Sequence, residues 1–88
     1  MSIAETLYKS LLAQNMKLAT AESCTGGMVA AAITDIAGSS SVFERGFVTY
    51  SNEAKSEMLG VSAELIVRVG AVSREVALAM AVAVRSVS

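Results

Sequence analysis

The sequence predicts an α/β fold in which helices are layered on a short, largely parallel sheet. Apolar residues recur at helical spacing in several segments, whereas two short segments have strand character. A helical segment separates the two strand segments, an arrangement that pairs strands in parallel through a right-handed crossover. The predicted order is helix, strand, helix, strand, helix, helix, helix, which gives five helices and two strands. With 88 residues and no internal repeat, we expect a single domain.

The first helix is expected to begin after Ser2, because Glu5 follows at the spacing of a capping box. Its apolar stripe consists of Ala4, Leu7, Tyr8, Leu11 and Leu12. This stripe predicts that the helix packs on the sheet, and Asn15 is the expected stop. The first strand is expected over residues 17–22.

The second helix is expected to begin near Thr25, with the Thr25 hydroxyl as its cap. Its buried face is predicted to consist of Val29, Ala30, Ile33 and Ile36. Residues 38–41, Gly-Ser-Ser-Ser, predict a turn. The second strand is expected over residues 42–51, which are rich in β-branched and aromatic side chains. Gly46 inside this segment predicts a bulge or a close approach of another backbone.

Three further helices are indicated by hydroxyl residues that can cap their starts and by glycines that can end them. The expected caps are Ser51 or Asn52, Ser62 and Ser73, and the glycines are Gly60 and Gly70. The last of these helices is apolar on every face over residues 76–84. Such a helix is normally buried on all sides, which two strands and four short helices cannot achieve. We therefore expect another chain, or more of a larger domain, to cover it.

The composition excludes several classes of function. Seven basic and eight acidic residues, with no Trp, argue against nucleic-acid binding. A chain with no His and one Cys cannot form an internal disulfide and is a poor zinc binder, although the sequence leaves open a hard cation such as Mg²⁺ bound by carboxylates. The sequence shows neither a signal peptide nor an apolar run long enough to cross a membrane. We expect a cytoplasmic protein in a reducing compartment.

Residues 21–27, Ala-Glu-Ser-Cys-Thr-Gly-Gly, join the first strand to the second helix. Unpaired N–H groups at a helix start suit an anion, and glycines allow a ligand to approach the backbone closely. A hydroxyl at such a turn can also act as a nucleophile whose oxyanion the N–H groups stabilise. Taken alone, the same residues are more often a helix cap and a site of tight packing.

Four ordered segments of this sequence closely resemble the CinA C-terminal domain family. They are residues 21–27 (AESCTGG), 35–40 (DIAGSS), 43–55 (FERGFVTYSNEAK) and 70–73 (GAVS). The stand-alone members of that family are nicotinamide-nucleotide amidohydrolases of the PncC type. The same domain also occurs fused to a larger competence/damage-inducible protein. The family domain is about twice as long as this chain, so residues 1–88 are expected to correspond to its N-terminal half.

The resemblance implies an α/β sandwich-like domain that hydrolyses the carboxamide of nicotinamide mononucleotide. The products would be nicotinate mononucleotide and ammonia, in pyridine-nucleotide recycling. It further implies that no metal or other cofactor is needed, that the ligand is a small pyridine nucleotide and that the protein forms a homo-oligomer. Nucleic acid and membranes are not expected as partners.

The resemblance also assigns catalytic residues: the motif serine falls on Ser23, the tyrosine on Tyr50 and the lysine on Lys55. Amide hydrolysis needs a nucleophile, a base and donors for the oxyanion. Because the chain has no His, a Ser-Lys pair would replace the Ser-His-Asp arrangement, with burial favouring the neutral amine. Tyr50 would then relay the proton or orient the lysine.

The residues by themselves leave alternatives open. Cys24 could be the nucleophile in place of Ser23, since a helix start favours a thiolate. Lys55 could be an ordinary solvated lysine, and Tyr50 could place its ring in the core. The expected contacts to the substrate phosphate or oxyanion are Cys24, Thr25, Gly26, Gly27 and Arg45. A non-catalytic nucleotide-binding or oligomerisation module and an inactive fragment are the alternative functions.

Overall fold

The fold is given by a computed structural model, which describes residues 2–87. In this range five α-helices and two strands follow one another in the predicted order. They are α1 (Ile3–Ala13), β1 (Leu18–Glu22), α2 (Met28–Thr34), β2 (Phe43–Val48), α3 (Asn52–Leu59), α4 (Ala63–Val69) and α5 (Arg74–Val87). The predicted Gly-Ser-Ser-Ser turn contains a one-turn 3-10 helix, Ser39–Ser41.

The two strands pair in parallel, as the intervening helical segment predicts. Glu22 lies opposite Val48 at the carboxyl end, and Leu18 lies opposite Phe43 at the other end. The register shifts after Leu18, so Glu44 of β2 has no partner and forms a bulge. The strand ends at Val48 instead of residue 51, because the chain turns there to begin α3.

The nearest atoms to the Cβ position of Gly46 belong to side chains of other residues, and the bulge lies two residues earlier, at Glu44. A Cβ at Gly46 would lie 2.8 Å from the hydroxyl oxygen of Thr20 and 3.5 Å from the Cβ of Ala30. Thr20 belongs to β1 and Ala30 to α2. The absence of a side chain at Gly46 therefore lets α2 lie close to the sheet.

The sheet lies between two layers of helices. Ala19 and Ala21 of β1 pack against the main core, on the face opposite α2. That core is built from Leu59, Val61, Ile66, Val76, Met80 and Val84. Since these residues come from α3, α4, α5 and the segment that joins α3 to α4, one face of the sheet carries most of the apolar burial.

The first helix packs mainly against α2, so the expectation that it lies on the sheet is wrong. No side chain of α1 is buried. The Tyr8 hydroxyl donates a hydrogen bond to the carbonyl of Gly38 at 3.2 Å, which ties α1 to the turn after α2. This helix therefore forms an outer layer, which explains why its apolar stripe stays partly exposed.

Most helix ends follow the capping pattern in the sequence. The side chains of Ser2, Ser51, Ser62 and Ser73 each accept a hydrogen bond from a backbone N–H three residues later. Gly60 ends α3 in the left-handed conformation, with φ of 68°, and Gly70 follows α4.

The last helix has one buried side and one exposed side within the described chain. Val76, Met80 and Val84 are at most 7 % exposed. Leu78 and Val82 are 64 % and 59 % exposed, although both are apolar. Residues 2–87 alone therefore do not cover this helix. None of the helices described is long and apolar enough to cross a membrane.

Candidate active site

The candidate site lies at the carboxyl edge of the two-stranded sheet, where ligands commonly bind in open α/β sheets. Ser23 directly follows β1, and Thr49 and Tyr50 directly follow β2. The N–H of Thr49 donates to the carbonyl of Glu22 at 2.9 Å, so the pairing continues to the last residue of β1. Parallel pairing therefore brings Ser23 and Tyr50 to the same edge, although 26 positions separate them in the chain.

Ser23 lines a groove of about 270 Å³ between the end of β1 and α5. The other lining residues are Ala21, Glu22, Cys24, Thr25, Ala77 and Met80. Ser23 is half-buried and its Oγ lies 3.9 Å from the Sγ of the exposed Cys24. Both candidate nucleophiles therefore face the same groove, and their geometry leaves the choice between them open.

Glu22 has a central position that the sequence interpretation missed. Its side chain is buried, with 6 % exposed. One carboxylate oxygen accepts the Thr25 hydroxyl at 2.6 Å and the N–H of Val29 at 3.0 Å, and the other accepts the N–H of Ala30 at 3.1 Å. The signal available in the sequence is an acidic residue that ends a strand just before a glycine-containing turn and a helix.

The prediction that Thr25 caps the second helix is wrong. The helix begins at Met28, and the residue at its N-cap position is Gly27, which has no side chain to accept a bond. The Thr25 hydroxyl donates to Glu22, and the Glu22 carboxylate accepts the N–H groups of the first turn. Gly27 has φ of 125°, a conformation that side chains rarely adopt, so a glycine is required there.

The pKa of Glu22 is lowered from its ordinary value of 4.5. The hydrogen bond from Thr25 is the main cause, the N–H groups of Val29, Ala30 and Gly27 add to it, and burial opposes it. A lowered pKa means that the ionised carboxylate stabilises the fold above pH 4.5. This contribution is lost as the pH falls through the lowered pKa.

The helix start that the sequence offers to an anion is therefore occupied by a carboxylate of the chain itself. Within residues 2–87, the N–H groups of Cys24, Thr25 and Gly26 have no hydrogen-bond acceptor. A Cβ at Gly26 or Gly27 would meet no atom within 4 Å, so this side of the turn is open. The backbone N–H groups of residues 24–26 therefore remain available to bind an oxyanion. Those of Val29 and Ala30 in the first turn of α2 are already bound to Glu22.

Lys55 is buried, with only 2 % of its surface exposed, so the interpretation as an ordinary solvated lysine is wrong. It lies in the first turns of α3, whose start is fixed by the Ser51 cap. Its Nζ donates to the backbone carbonyl of Tyr50 at 3.4 Å, which is a long hydrogen bond. In the described part of the chain no carboxylate lies within ion-pair distance of this ammonium.

Tyr50 has a 73 % exposed side chain, so the alternative that its ring lies in the core is also wrong. Its contact with Lys55 runs through the backbone carbonyl and not through the phenol. Between residues 2 and 87, no hydrogen bond joins Ser23 to Lys55 or to Tyr50. Catalytic hydrogen bonds commonly tighten only when substrate binds.

The hydroxyl of Thr49 is a further polar group at this edge. Thr49 is completely buried, and its Oγ1 has no hydrogen-bond partner among the residues described. It directly precedes Tyr50, whose backbone carbonyl accepts the hydrogen bond from Lys55. Buried polar groups without a partner are uncommon in folded proteins, and Thr20 Oγ1 in β1 is another among the residues described.

Arg45 is not brought to this edge. It lies opposite Ala19, three residues before the end of β2, which corresponds to roughly 10 Å along a strand. Its guanidinium pairs with the carboxylate of the neighbouring Glu44 at 3.0 Å, and both side chains are exposed. As for metal ligands, residues 2–87 contain no group of three or more suitable side chains.

Comparison with known proteins gives a consistent family match. The family model described as the CinA C-terminal domain matches residues 1–88. The nicotinamide-nucleotide amidohydrolase PncC of Escherichia coli K12 is 56 % identical over 82 residues, which are 93 % of this chain and 50 % of PncC. A CinA-like protein of Chlorobium phaeovibrioides is 60 % identical over 80 residues, which are 91 % of this chain and 19 % of that protein.

Solved structures show the same fold. A CinA superfamily protein from Escherichia coli superposes with a TM-score of 0.92 at 36 % identity, over 97 % of this chain and 49 % of that one. A competence/damage-inducible protein from Agrobacterium tumefaciens superposes with a TM-score of 0.87 at 51 % identity, over 92 % of this chain and 49 % of that one. The chain thus spans about half the length of PncC and of these two solved proteins.

Proposed function

Because this chain belongs to the CinA C-terminal domain family, we propose that it carries the nucleophile and the base of a nicotinamide-nucleotide amidohydrolase site. The proposed substrate is nicotinamide mononucleotide, and the products are nicotinate mononucleotide and ammonia. PncC, at 56 % identity, supports this choice of reaction. The observation that carries the proposal is the burial of Lys55 beside the strand edge that presents Ser23.

A structural role alone does not account for Lys55. Lysine is almost never fully buried unless it is paired, because removing an ammonium from water is costly. Lys55 has one partner, the carbonyl of Tyr50, at 3.4 Å. A buried amine without a carboxylate is the environment that a proton-accepting lysine requires, and it replaces the histidine that this sequence lacks.

In the proposed reaction the Ser23 Oγ attacks the carboxamide carbon while the neutral Lys55 amine accepts the Ser23 proton. The N–H groups of Cys24, Thr25 and Gly26 bind the oxyanion that forms. Collapse of the intermediate breaks the C–N bond, and the proton held by Lys55 leaves with the amine as ammonia. Water then attacks the ester, with Lys55 again accepting and returning a proton, and releases the carboxylate product. The exposed Tyr50 phenol would relay the proton between Lys55 and Ser23.

We propose that residues 1–88 form one domain that corresponds to the N-terminal half of the family domain. Half of PncC has no counterpart in this sequence, and the groove beside Ser23 is open along α5. In this proposal further residues, from the same chain or another, would complete the substrate pocket. The ligand would be a small pyridine nucleotide.

The test is ammonia release from nicotinamide mononucleotide at neutral pH, with single variants of the three candidate groups. Ser23→Ala and Lys55→Ala should each lower the rate by about a hundredfold or more, as loss of a nucleophile or base does. Cys24→Ala should keep the rate within about threefold, since the thiol is not the nucleophile. Lys9→Ala, which removes an exposed lysine of α1, is the matched control.

The proposal is overturned if Ser23→Ala turns over substrate at a near-normal rate. If Cys24→Ala is inactive instead, the role of nucleophile belongs to Cys24. A non-catalytic nucleotide-binding module is the second candidate, and the exposed Leu78 and Val82 on α5 favour such an interaction role. Binding of nicotinamide mononucleotide without turnover, and with the same affinity in the Ser23→Ala/Lys55→Ala double variant, would support that candidate.

A further inference from the structure

We propose that Glu22 is a positioning residue that fixes the nucleophile loop, residues 23–27, an inference that rests on the proposed role of Ser23. Glu22 immediately precedes this loop and is the last residue of β1. Its carboxylate binds one group inside the loop, the Thr25 hydroxyl. It also binds two groups beyond the loop, the N–H groups of Val29 and Ala30.

These contacts close the loop at both ends. The Glu22 backbone is held in the sheet by the N–H of Thr49, which donates to its carbonyl at 2.9 Å. Its side chain holds the first turn of α2 through two hydrogen bonds of 3.0 and 3.1 Å, and the loop itself through the 2.6 Å bond from Thr25. Because Glu22 is only 6 % exposed, water has little access to these charge-assisted bonds. Ser23 is thus attached directly to a residue that is fixed on both the sheet and the helix.

A simple helix cap does not require this arrangement. A Ser, Thr, Asn or Asp at the N-cap position serves a helix start with one local hydrogen bond. Here that position is Gly27, and the acceptor comes from five residues earlier, across the whole loop. The cost is a buried carboxylate, which folded proteins retain only with full hydrogen bonding. What Glu22 provides and a local cap residue would not is a fixed position for the loop.

The same arrangement restricts where the substrate's negative charge can bind. Both carboxylate oxygens of Glu22 are directed at the N–H groups of α2, so a second anion at this helix start would meet a buried negative charge. The N–H groups of Cys24, Thr25 and Gly26 stay outside this contact. In this inference the loop holds the reacting carboxamide, and a phosphate of the substrate binds away from α2.

The experiment compares Glu22→Gln and Glu22→Asp with the original protein, and uses Glu64→Gln as the matched control. Glu64 is an exposed glutamate in the first turn of α4, so it shares the charge and the place in a helix but bridges no loop. Three quantities are measured for each variant: amide hydrogen exchange at Val29 and Ala30, the alkylation rate of the Cys24 thiol by iodoacetamide, and kcat and KM for ammonia release.

In Glu22→Gln we expect exchange at Val29 and Ala30 to accelerate about tenfold or more, with exchange at Val76 and Met80 of the core unchanged. The Cys24 alkylation rate should change by about threefold or more, since the thiol lies in the released loop. kcat should fall about tenfold or more while KM stays within about threefold, as loss of positioning predicts. Glu22→Asp, which keeps the charge on a shorter side chain, should recover part of each effect.

The inference is overturned if Glu22→Gln leaves exchange and alkylation at the original rates, or if Glu64→Gln reproduces the changes. An equal acceleration of hydrogen exchange at every amide, with kcat unchanged, would show a purely structural role for Glu22 and would also overturn the inference. If Glu22→Gln does not fold, original rates in Glu22→Asp overturn it in the same way. If residues 1–88 alone release no ammonia, that result concerns completion of the substrate pocket and not Glu22, and exchange and alkylation still decide whether Glu22 fixes the loop.

Discussion

Lys55 is the residue at which stability and function are expected to conflict. It is 2 % exposed, and its ammonium has a single long hydrogen bond to the Tyr50 carbonyl. A side chain retained under these conditions costs stability, since a buried polar group needs strong partners to compensate for lost hydration. Strain of this kind is typical of catalytic positions and is rare elsewhere.

We therefore predict that Lys55→Met stabilises the fold while it abolishes ammonia release. Met has nearly the same length and no charge, so the free energy of unfolding should rise by about 1–3 kcal/mol. Lys9→Met on the exposed surface of α1 should change it by less than about 0.5 kcal/mol. Urea denaturation of the three proteins measures both values. A loss of stability in Lys55→Met would mean that the amine has partners that strengthen the native state.

At the scale of elements, the packing of α2 on the sheet depends on the missing side chain at Gly46. We predict that Gly46→Ala destabilises the fold by about 1–3 kcal/mol, because the new Cβ would lie 2.8 Å from the Thr20 hydroxyl oxygen. Gly26→Ala, where a Cβ would meet nothing within 4 Å, should cost less than about 1 kcal/mol. The measurement is the denaturant midpoint of each variant.

A double variant separates a steric effect from a conformational one. In Thr20→Ala/Gly46→Ala the clashing hydroxyl is absent. The decrease in the free energy of unfolding should therefore be smaller than the sum of the decreases in the two single variants. Thr20 Oγ1 has no hydrogen-bond partner in the described chain, so its removal breaks no bond there. Strict additivity of the two changes would contradict the steric explanation.

Three of the helix starts are encoded locally in the sequence. Ser2, Ser51 and Ser62 cap their helices from three residues away, so spacing alone predicts these starts correctly. The start of α2 could not be predicted in this way, because its acceptor is Glu22, seven and eight residues before the N–H groups that it binds. Caps that reach across a loop leave no fixed spacing in the sequence.

The site shows the same distinction. The edge position of Ser23 and Tyr50 follows from parallel pairing, which the order of elements predicts. Whether Lys55 is buried could not be read from periodicity, because α3 has only two turns and carries charged residues on several faces. Arg45 resembled a phosphate ligand by residue type, but the register of β2 places it away from the edge and next to Glu44.

For the whole molecule, the uncovered side of α5 is the main incomplete feature. Leu78 and Val82 expose most of their surface, although the opposite side of the helix is part of the core. Exposed apolar patches of this kind commonly mark interaction surfaces. Additional family-domain residues and a second copy of this chain are the two possible covers, and the second is the predicted homo-oligomer.

We predict that the 88-residue chain, of 9.1 kDa, self-associates through this side of α5. Sedimentation velocity at micromolar concentrations should show a species of at least twice the chain mass. Leu78→Glu/Val82→Glu should shift it to the monomer, since burying two carboxylates opposes association. Ile3→Glu, at an 89 % exposed apolar position on α1, should leave association unchanged. A monomeric original protein would contradict the homo-oligomer.

The parallel register also has a consequence for how the chain folds. Leu18 and Phe43 are about 25 residues apart, and no tight turn connects their strands, so pairing cannot zip from a local start. Loop closure must come first, and its entropy is lost before the pairing stabilises anything. The capped helices are therefore expected to form early and the sheet late. Since the nucleophile loop joins β1 to α2, Ser23 would reach its native position only in the last stage of folding.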